Sequence, residues 1–511
     1  MAAVEKKIRS INLSLFITTM KKHPFIALLC VAVLCTVQSQ AQSQSFEEYK
    51  KKATEAYRSY VKEKITAFEN FRAERNKEFA SYLQKKWMRY EQQPEVEPPV
   101  RPKPVVPDPK DDTTIPSRLP VLTVKPIKKP DEPVDVTVKP LPRNVRPSEA
   151  LQFDFYGTRC RVRFAKNKAF ALSDISEQYV AQVWKELVSP DYSTLLDDCI
   201  AYRSELKLCD WAYVKFTEQV AKALFGNGKP NEAALLQAFL LMQSGYDAKV
   251  VRFGDERLMP ALSADNQIYG FTFFVNNGRK YYLLEKIKEK QPIYTYDEMF
   301  YDKAQPCALG VLHEQQLPVV QAAHVTRVSS HYPAARVETK ANDNLMAFYN
   351  DFPHCDWTVY ARTPMTREMR DDVLTPLRAA IQGKGEVEAA NILLDFVQTG
   401  FAYKTDEQQF GYERPLFVDE VFFYPYCDCE DRAILYVYLV HELLGLDVAL
   451  LYYPMHLAAA VAFNVPVDGD SMMINGRKYL VCDPTIISGA SVGEAMKRYK
   501  NTQATVYTVE Y

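Results

Sequence analysis

The spacing of apolar residues divides the chain into segments of different kinds. Between residues 46 and 92, aromatic and aliphatic residues recur at helical spacing among many Lys and Glu residues. From residue 94 to residue 148 this pattern stops, and 15 of the 31 prolines of the chain lie here. Proline fixes φ and removes a backbone donor, so this stretch predicts a semi-rigid, extended Pro-rich linker. We expect residues 42–93 to form a charged amphipathic helix, either solvated or self-associating.

Two regions that follow the linker share a repeat. In each region an apolar helix ends at a glycine, Gly245 or Gly445, and short apolar strands come next. The pentapeptide Asn-Gly-Arg-Lys-Tyr then occurs in both regions, beginning at Asn277 and at Asn475. The separation from glycine to asparagine is 32 residues in the first region and 30 in the second. This correspondence favours a degenerate duplication over an unrelated α+β domain with a coincidental hairpin.

The spacing of apolar residues predicts the same order of helix and strands in both regions. We place these regions at residues 149–330 and 335–511. Residues 433–444 are apolar on nearly every face, which is typical of a helix that is buried on all sides. In both regions an Asn-Gly pair between two strands predicts a type I′ hairpin, because both central residues need positive φ. We therefore expect an α+β protein in which each region packs a central helix on an antiparallel sheet.

The N-terminus has the layout of an export signal. Two lysines from Lys21 precede an apolar run over residues 24–37, and Ala41 stands at a suitable cleavage position. The run is short for a membrane span, so residues 1–41 are expected to be a signal peptide. The alternative is a retained segment that tethers the protein to a membrane. Either way the protein is expected to be exported, to a periplasm, the cell surface or the medium.

Composition narrows the classes of function. Hydrophobic residues make up 47% of the chain and charged residues 25%, as in soluble globular proteins. The formal net charge is −1, so no global field attracts nucleic acid, and no nucleic-acid partner is expected. The cysteines that follow the apolar run are too few for a disulfide scaffold of this length. Some are expected to be free thiols, and a Cys427–Cys482 disulfide is one further interpretation.

One stretch of the second region contains a thiol, an imidazole and a carboxylate in that order. Cys429 lies in the first turn of the buried helix, where the helix dipole and unpaired N–H groups favour a thiolate. His441 is roughly 18 Å further along the same helix and cannot reach the thiol. His456 begins a strand after the helix, and alanines at alternate positions behind it are expected to leave space for an extended substrate. Asp483, on a strand past the hairpin, can orient the imidazole.

These residues resemble the transglutaminase-like superfamily of papain-like cysteine enzymes. The shared pattern is Cys-x-Asp-x-Ala at a helix start (Cys429), Leu-Gly-Leu at the helix end, a histidine on a strand (His456) and Asp-Pro-Thr after a later strand (Asp483). It covers roughly residues 390–486. The resemblance implies tandem domains of this fold. It also implies Cys429 as nucleophile, His456 as general base and acid, and Asp483 as the residue that orients the imidazole.

The chain departs from that family at two points. Cys427 stands where many members have glycine, and Leu457 follows the histidine where many members have tryptophan. The second oxyanion donor is therefore open, with Gln409, Tyr424 and Tyr426 as candidates. No cofactor is expected. No metal site is expected either, because two thiols one residue apart match neither a redox motif nor the usual zinc spacing.

The first region lacks the same chemistry. No histidine occurs between His23 and His313, and no cysteine occurs at residues 226–232, where the repeat places the start of the helix. Glu285 takes the place of Asp483 in the hairpin alignment. We expect the first region to be a non-catalytic binding or positioning module.

The second region predicts an exported, cysteine-dependent peptidase or amidase whose partner is a peptide or protein amide. The resemblance implies a thioester intermediate, followed by hydrolysis or acyl transfer. Hydrolysis is favoured because water is the most abundant acceptor. The alternative is a non-catalytic binding or scaffold protein in which Cys429, His456 and Asp483 persist for structural reasons.

Overall fold

The computed structural model describes residues 51–99 and 150–511, except residues 53, 61, 65, 68, 323, 487, 488 and 501. Two compact units are found, one ending at Arg75 and the other running from Asn76 to Tyr511. The signal segment and nearly all of the Pro-rich linker lie outside the described residues. Within the described part of the chain, no helix combines the length and the apolar character needed to cross a bilayer.

The predicted N-terminal helix is shorter than residues 42–93. Most described residues between 51 and 83 are helical, but Met88–Tyr90 form a strand, β1. β1 pairs antiparallel with the strand Ile293–Thr295, and Trp87 is buried beside it. The prediction is wrong at this end because pairing with a sheet edge satisfies backbone groups that a helix end would leave free.

The first region consists of a hairpin, a group of helices and an antiparallel sheet. Its elements are β2 (Leu151–Phe155), β3 (Thr158–Val162), α1 (Glu177–Leu187), α2 (Pro190–Glu205), α3 (Asp210–Phe225), α4 (Pro230–Gln243), β4 (Ala248–Phe253), β5 (Arg257–Ser263), β6 (Phe273–Asn276), β7 (Arg279–Leu283) and β8 (Ile293–Thr295). The sheet has the strand order β1-β8-β4-β5-β7-β6, and its neighbouring strands are antiparallel.

The second region has more helices and a similar sheet. Its elements are β9 (Val325–Val328), β10 (Arg336–Thr339), α5 (Asp343–Asn350), α6 (Trp357–Arg362), α7 (Arg367–Ala380), α8 (Glu386–Gly400), β11 (Ala402–Tyr403), α9 (Asp406–Gln409), α10 (Val418–Phe423), β12 (Tyr426–Cys427), α11 (Cys429–Leu444), β13 (Asp447–Tyr453), β14 (His456–Ala462), β15 (Ser471–Ile474), β16 (Arg477–Cys482) and β17 (Thr505–Val509). The sheet has the strand order β15-β16-β14-β13-β17 and is antiparallel.

The two sheets share one connectivity. In each region a helix leads into two hairpins and a last strand, and the strand order β8-β4-β5-β7-β6 matches β17-β13-β14-β16-β15. Asn277 and Gly278 have φ of 49° and 76°, and Asn475 and Gly476 have φ of 49° and 80°. Positive φ at both central residues agrees with the predicted type I′ hairpins. The predicted mixed α+β class is confirmed.

Helix α11 occupies the centre of the second region. All residues from Cys429 to Val440 are buried, and the helix ends at Gly445, as the apolar pattern predicts. It packs against β13, β14 and α8. Each buried Leu, Ile or Val side chain contributes about 1.5–3 kcal/mol to stability, so the start of this helix is held by its own core contacts.

One buried apolar cluster runs through both regions of the unit that begins at Asn76. Trp211 Nε1 donates to the carbonyl of Asp351 at 2.9 Å, and Tyr269 Oη donates to Asp356 at 3.0 Å. The boundary drawn from the sequence at residues 330–335 therefore separates regions that share a core.

Candidate active site

Cys429 is the first residue of α11, as predicted. The carboxylate of Asp431 accepts hydrogen bonds from the backbone N–H of Leu416 at 2.8 Å and of Asp428 at 3.2 Å. The Leu416 bond ties the helix start to the chain that precedes α10, and the Asp428 bond caps the helix itself. The position of Cys429 is therefore set by two backbone contacts as well as by the helix.

His456 and Asp483 form the predicted pair. His456 is the first residue of β14, and its Nε2 lies 2.8 Å from Asp483 Oδ2. The other carboxylate oxygen, Oδ1, accepts from the Thr485 N–H at 3.0 Å, and Gln398 Nε2 donates to the Asp483 carbonyl at 2.9 Å. With the carboxylate as acceptor, Nε2 carries the proton. Nδ1 is buried and has no hydrogen-bond partner among the described residues, so it is the nitrogen available to act as a base.

The Cys429 thiol lies against the strand that carries His456. The backbone N–H of Leu457, the residue after His456 on β14, is directed at this thiol. The structure therefore brings Cys429 to the same end of β14 as the His456–Asp483 pair. All three residues are closed off from solvent: Cys429 and His456 are 0% exposed and Asp483 is 2% exposed.

The predicted lowering of the Cys429 pKa is contradicted. Burial raises the pKa of the Cys429 thiol well above its ordinary value, and the charge of Asp428 adds to this effect. The Leu457 N–H and Glu430 act in the opposite direction but do not outweigh burial. The thiol donates to Glu430 Oε2 at 3.2 Å. Burial at this site therefore favours the protonated thiol over the thiolate.

The expected open groove beside His456 is also absent from the described part of the chain. The rings of His456 and Tyr499 stack, with centroids 5.1 Å apart and planes 3° apart. Tyr499 Oη donates to the Pro454 carbonyl at 3.3 Å. The alternating alanines of β14 are fully buried in an apolar cluster that includes Tyr499, Met472 and Val506. Larger side chains fill the space that the alanines leave, so a substrate needs a rearrangement to enter.

Buried carboxylates surround the start of α11. One ligand oxygen from each of Asp406, Asp428 and Asp431 lies within 4.8 Å of the other two, and the same holds for Asp406, Glu413 and Glu430. Burial is the main cause that raises the pKa of the Asp406, Asp428, Glu430 and Asp431 carboxyl groups, and Asp428 raises the other three further by its charge. Sequence analysis missed Asp406 and Glu413, because no local motif links them to Cys429.

The other residues considered from the sequence have separate roles. His441 stacks on Tyr511, with ring centroids 3.7 Å apart, and lies at the far end of α11. Gln409 Nε2 donates to the Tyr426 carbonyl at 3.2 Å, while the guanidinium of Arg414 lies over the Tyr424 ring. The Gln409 amide nitrogen, one of the three donors proposed for an oxyanion, is thus engaged by a backbone carbonyl.

Tyr403, which the sequence did not indicate, lies near Cys429. The hydroxyl of Tyr403 is buried and has no hydrogen-bond partner among the described residues. Burial raises the pKa of Tyr403, and a thiolate at Cys429 would raise it further. Tyr403 lies on β11, which pairs with the strand just before Cys429.

The cysteines of the described regions are free thiols. The Cys427–Cys482 disulfide is therefore wrong. The Cys427 thiol is directed to the Ala402 carbonyl at 4.0 Å and the Cys482 thiol to the Leu480 carbonyl at 3.7 Å, so each has a separate environment.

The first region has a counterpart of the His456–Asp483 pair. Arg257 is the first residue of β5 and pairs with the last residue of β4, as His456 pairs with the last residue of β13. Arg257 forms an ion pair with Glu285, the residue aligned with Asp483. Next to it, Asn231 of α4 accepts from the Leu258 N–H at 2.8 Å. The same scaffold thus holds an arginine–carboxylate pair in place of histidine–aspartate.

Comparisons with known proteins found no family model, no curated protein and no solved structure that matches this chain. The assignment of function therefore depends on the contacts of the described residues and on the resemblance in sequence.

Proposed function

We propose that the protein is a cysteine-dependent amide or peptide hydrolase or acyl transferase, with Cys429 as nucleophile, His456 as base and Asp483 as the residue that orients the imidazole. The observation that carries the proposal is the unpartnered His456 Nδ1. Its ring is fixed by the 2.8 Å contact from Nε2 to Asp483, and the Cys429 thiol lies near the backbone N–H of Leu457, the next residue on β14. A purely structural histidine that is fully buried would be expected to have both nitrogens satisfied.

The proposed chemistry uses the Cys429 thiol, the His456 imidazole and the backbone N–H groups at the start of α11. His456 Nδ1 takes the proton of the Cys429 thiol, and the sulfur forms a bond to the carbonyl carbon of the amide. Backbone N–H groups at the start of α11 stabilise the resulting oxyanion. The C–N bond then breaks, His456 returns the proton to the leaving amine, and a thioester remains. Water or an amine attacks the thioester with His456 again as base, which releases the acid or the transferred product.

The closed state of the site fits this proposal as a resting state. The thiol donates to Glu430, burial favours its protonated form, and the ring of Tyr499 stacks on His456. Catalysis then requires that Tyr499 moves away and that water or substrate enters. The reactivity of the Cys429 thiol would therefore differ between this closed state and a state in which the site is exposed to solvent.

Alkylation of the native protein tests the proposal. Cys427 and Cys482 are matched internal controls, because they are as buried as Cys429 and lie within the same region. We expect iodoacetamide to modify Cys429 at least tenfold faster than either control, as measured by peptide mass spectrometry at neutral pH. Replacing His456 with Asn should remove this advantage while the circular dichroism spectrum is kept. Equal rates at the three thiols would exclude Cys429 as an activated nucleophile.

The rival function is a non-catalytic binding or scaffold role. The full burial of Cys429 and its raised pKa favour it. The alkylation experiment separates the two, because a scaffold role predicts no dependence of the Cys429 rate on His456.

We further propose that the two regions arose by duplication and that the first is not catalytic. Support comes from the shared strand order and from the equivalent places of Arg257 and His456. Arginine stays protonated at any physiological pH and cannot serve as a base. The first region would therefore bind or position a partner of the second.

A further inference from the structure

The β15 edge of the second sheet has a counterpart in the first region that is covered by another part of the chain. β15 and β6 are the outermost strands at corresponding ends of the two sheets. Each leads through an Asn-Gly turn into the next strand, so Ser471 takes the place of Phe273 and Met473 takes the place of Val275. This correspondence follows from strand order and register alone, so it holds whether or not Cys429 is a nucleophile.

In the first region an extended segment, residues 88–96, lies along this edge. Gln93 and Phe273 form an antiparallel bridge, in which the Gln93 N–H donates to the Phe273 carbonyl at 2.8 Å. Further along, the Gly270 N–H donates to the Val96 carbonyl at 3.1 Å. The edge of the first sheet is therefore paired by a segment that precedes the two similar regions in the chain.

In the second region no described segment takes that place. Among the described residues β15 pairs only with β16, and no backbone hydrogen bond joins Ser471 or Met473 to any other segment. The pair Ile474–Arg477 flanks the two-residue turn, where the strands are hydrogen-bonded, and bonded and non-bonded pairs then alternate. The N–H and C=O groups of Ser471 and Met473 therefore point away from β16, as the Phe273 carbonyl points away from β7.

β15 also lacks the protection that exposed edges usually have. Edge strands in natural proteins are commonly blocked by charged side chains, proline or bulges. β15 reads Ser-Met-Met-Ile, with neither a charged residue nor a proline, and Ser471 and Met473 are partly exposed. The opposite edge of the sheet, β17, is packed by α6, where the rings of Trp357 and Tyr507 have centroids 5.6 Å apart. β15 is thus the edge that can accept a further strand.

We propose that β15 binds an extended peptide segment of a partner protein, which adds a strand antiparallel to it. Met472 and Ile474 are only 3% and 1% exposed, so the side-chain space beneath this edge is already filled. Recognition therefore depends on the backbone groups of Ser471 and Met473, and the sequence of the peptide matters little. The peptide needs free N–H groups on the side that faces β15, which excludes proline at those positions.

Fluorescence anisotropy on the full-length protein tests the proposal. The probe is a labelled synthetic peptide with the sequence of residues 86–97, which contains the segment that covers the equivalent edge. We expect this peptide to bind with a Kd below about 1 mM. Met473→Pro removes an outward N–H at an edge position where proline is tolerated, and it should weaken binding about tenfold or more. The matched control is Val275→Pro at the equivalent position of β6, which should change the Kd by less than about twofold.

Two N-methylated versions of the peptide provide a measurement on the unmodified chain, so the test does not rely on a variant that folds. One version is methylated at Arg89, Glu91 and Gln93 and the other at Tyr90 and Gln92, so each blocks one side of an extended backbone. We expect one version to bind about tenfold or more weakly and the other to keep the Kd of the unmodified peptide.

Four results would overturn the proposal. The unmodified peptide may fail to bind at about 1 mM, or the two N-methylated versions may behave alike. Folded Met473→Pro may keep the wild-type Kd. Finally, sedimentation may show a wild-type dimer that Met473→Pro converts to a monomer, because the occupant of the edge is then a second copy of this chain.

Discussion

Replacing Gly469 with alanine tests how the chain that covers the candidate active site is held. Gly469 has φ of 139°, and an added Cβ would lie 2.7 Å from the Cα of Gly493 and 2.8 Å from its carbonyl oxygen. That carbonyl accepts from the Asp470 N–H at 2.7 Å, and the Gly493 N–H donates to the Val481 carbonyl at 2.8 Å. The contact anchors the chain that leads to the turn Lys497–Tyr499, whose tyrosine stacks on the histidine of the site.

The structure permits an estimate of the loss of stability. A non-glycine residue in a sparsely populated backbone region costs about 1–3 kcal/mol. Forcing an extra carbon against backbone atoms costs about 1–3 kcal/mol more. Gly469→Ala should therefore lower the free energy of unfolding by about 2–6 kcal/mol. Gly476→Ala is the matched control, because Gly476 has φ of 80° but nothing within 4 Å of an added Cβ. Its strain of about 1–2 kcal/mol is partly offset by a less flexible unfolded chain.

Urea denaturation followed by tryptophan fluorescence and circular dichroism measures both variants. We expect Gly469→Ala to be less stable than Gly476→Ala by about 2 kcal/mol or more. A second readout is the alkylation rate of Cys429, which should rise in Gly469→Ala because the tyrosine cover is loosened. If the two variants lose the same stability, the close approach of Gly469 to Gly493 does not constrain the fold, and the reasoning fails.

Two further predictions concern buried charged residues of the first region. Asp247 is 2% exposed and accepts from Arg279 and from Tyr281 Oη, both at 2.8 Å, so Asp247→Asn should cost about 2–3 kcal/mol. The equivalent Asp447 is 59% exposed, so Asp447→Asn should cost less than about 1 kcal/mol in urea denaturation; equal losses would contradict the role of burial. Lys249 is buried, and desolvation lowers its pKa to about 8, against about 10.4 in an unfolded chain. Between these values the unfolded chain binds more protons, so wild-type stability should rise with pH relative to Lys249→Met, by about 3 kcal/mol in total. A wild-type-minus-variant difference that stays constant from pH 7.5 to 10.5 would refute this assignment.

The elements that carry the site could be predicted because their signals are local. Helix α11 is apolar on every face, and its glycine stop and the two Asn-Gly hairpins need no tertiary information. The same local reasoning places Cys429 at a helix start, His456 at a strand start and Asp483 after a strand. The contact between His456 and Asp483 follows from the register of the sheet that these elements form.

The charge state of Cys429 could not be predicted in this way. A helix N-terminus favours an anion by about 0.3–1 kcal/mol at an exposed site. Full burial can shift a pKa by 3–5 units, which is a much larger free energy. The sequence reveals the first effect, and only the fold reveals the second. The direction of the shift was therefore predicted incorrectly.

The buried carboxylates around the start of α11 could not be predicted for a related reason. Asp406 and Glu413 lie 23 and 16 residues before Cys429, and no periodic pattern connects them to it. Their approach depends on how the chain between α9 and α11 folds back on the helix start, through contacts such as the Leu416 N–H to Asp431. Such long-range contacts between loops have no signature in a single sequence.

Comparing the two regions shows which feature of the candidate site cannot be explained by a structural role alone. Arg257 and Glu285 occupy the places of His456 and Asp483, and an ion pair there, 44% and 50% exposed, can hold the two strands together. A cation–carboxylate contact at this position therefore needs no catalytic explanation. What the described first region lacks is a counterpart of His456 Nδ1, a buried ring nitrogen without a hydrogen-bond partner among the described residues. In the second region the corresponding contact is made by a fully buried histidine. Its Nδ1 has no hydrogen-bond partner among the described residues, and this costs free energy. An arginine or an amide could hold the two strands together without that cost. The strongest reason to test Cys429 for reactivity is therefore the His456 nitrogen that lacks a partner, and not the presence of the three residues alone.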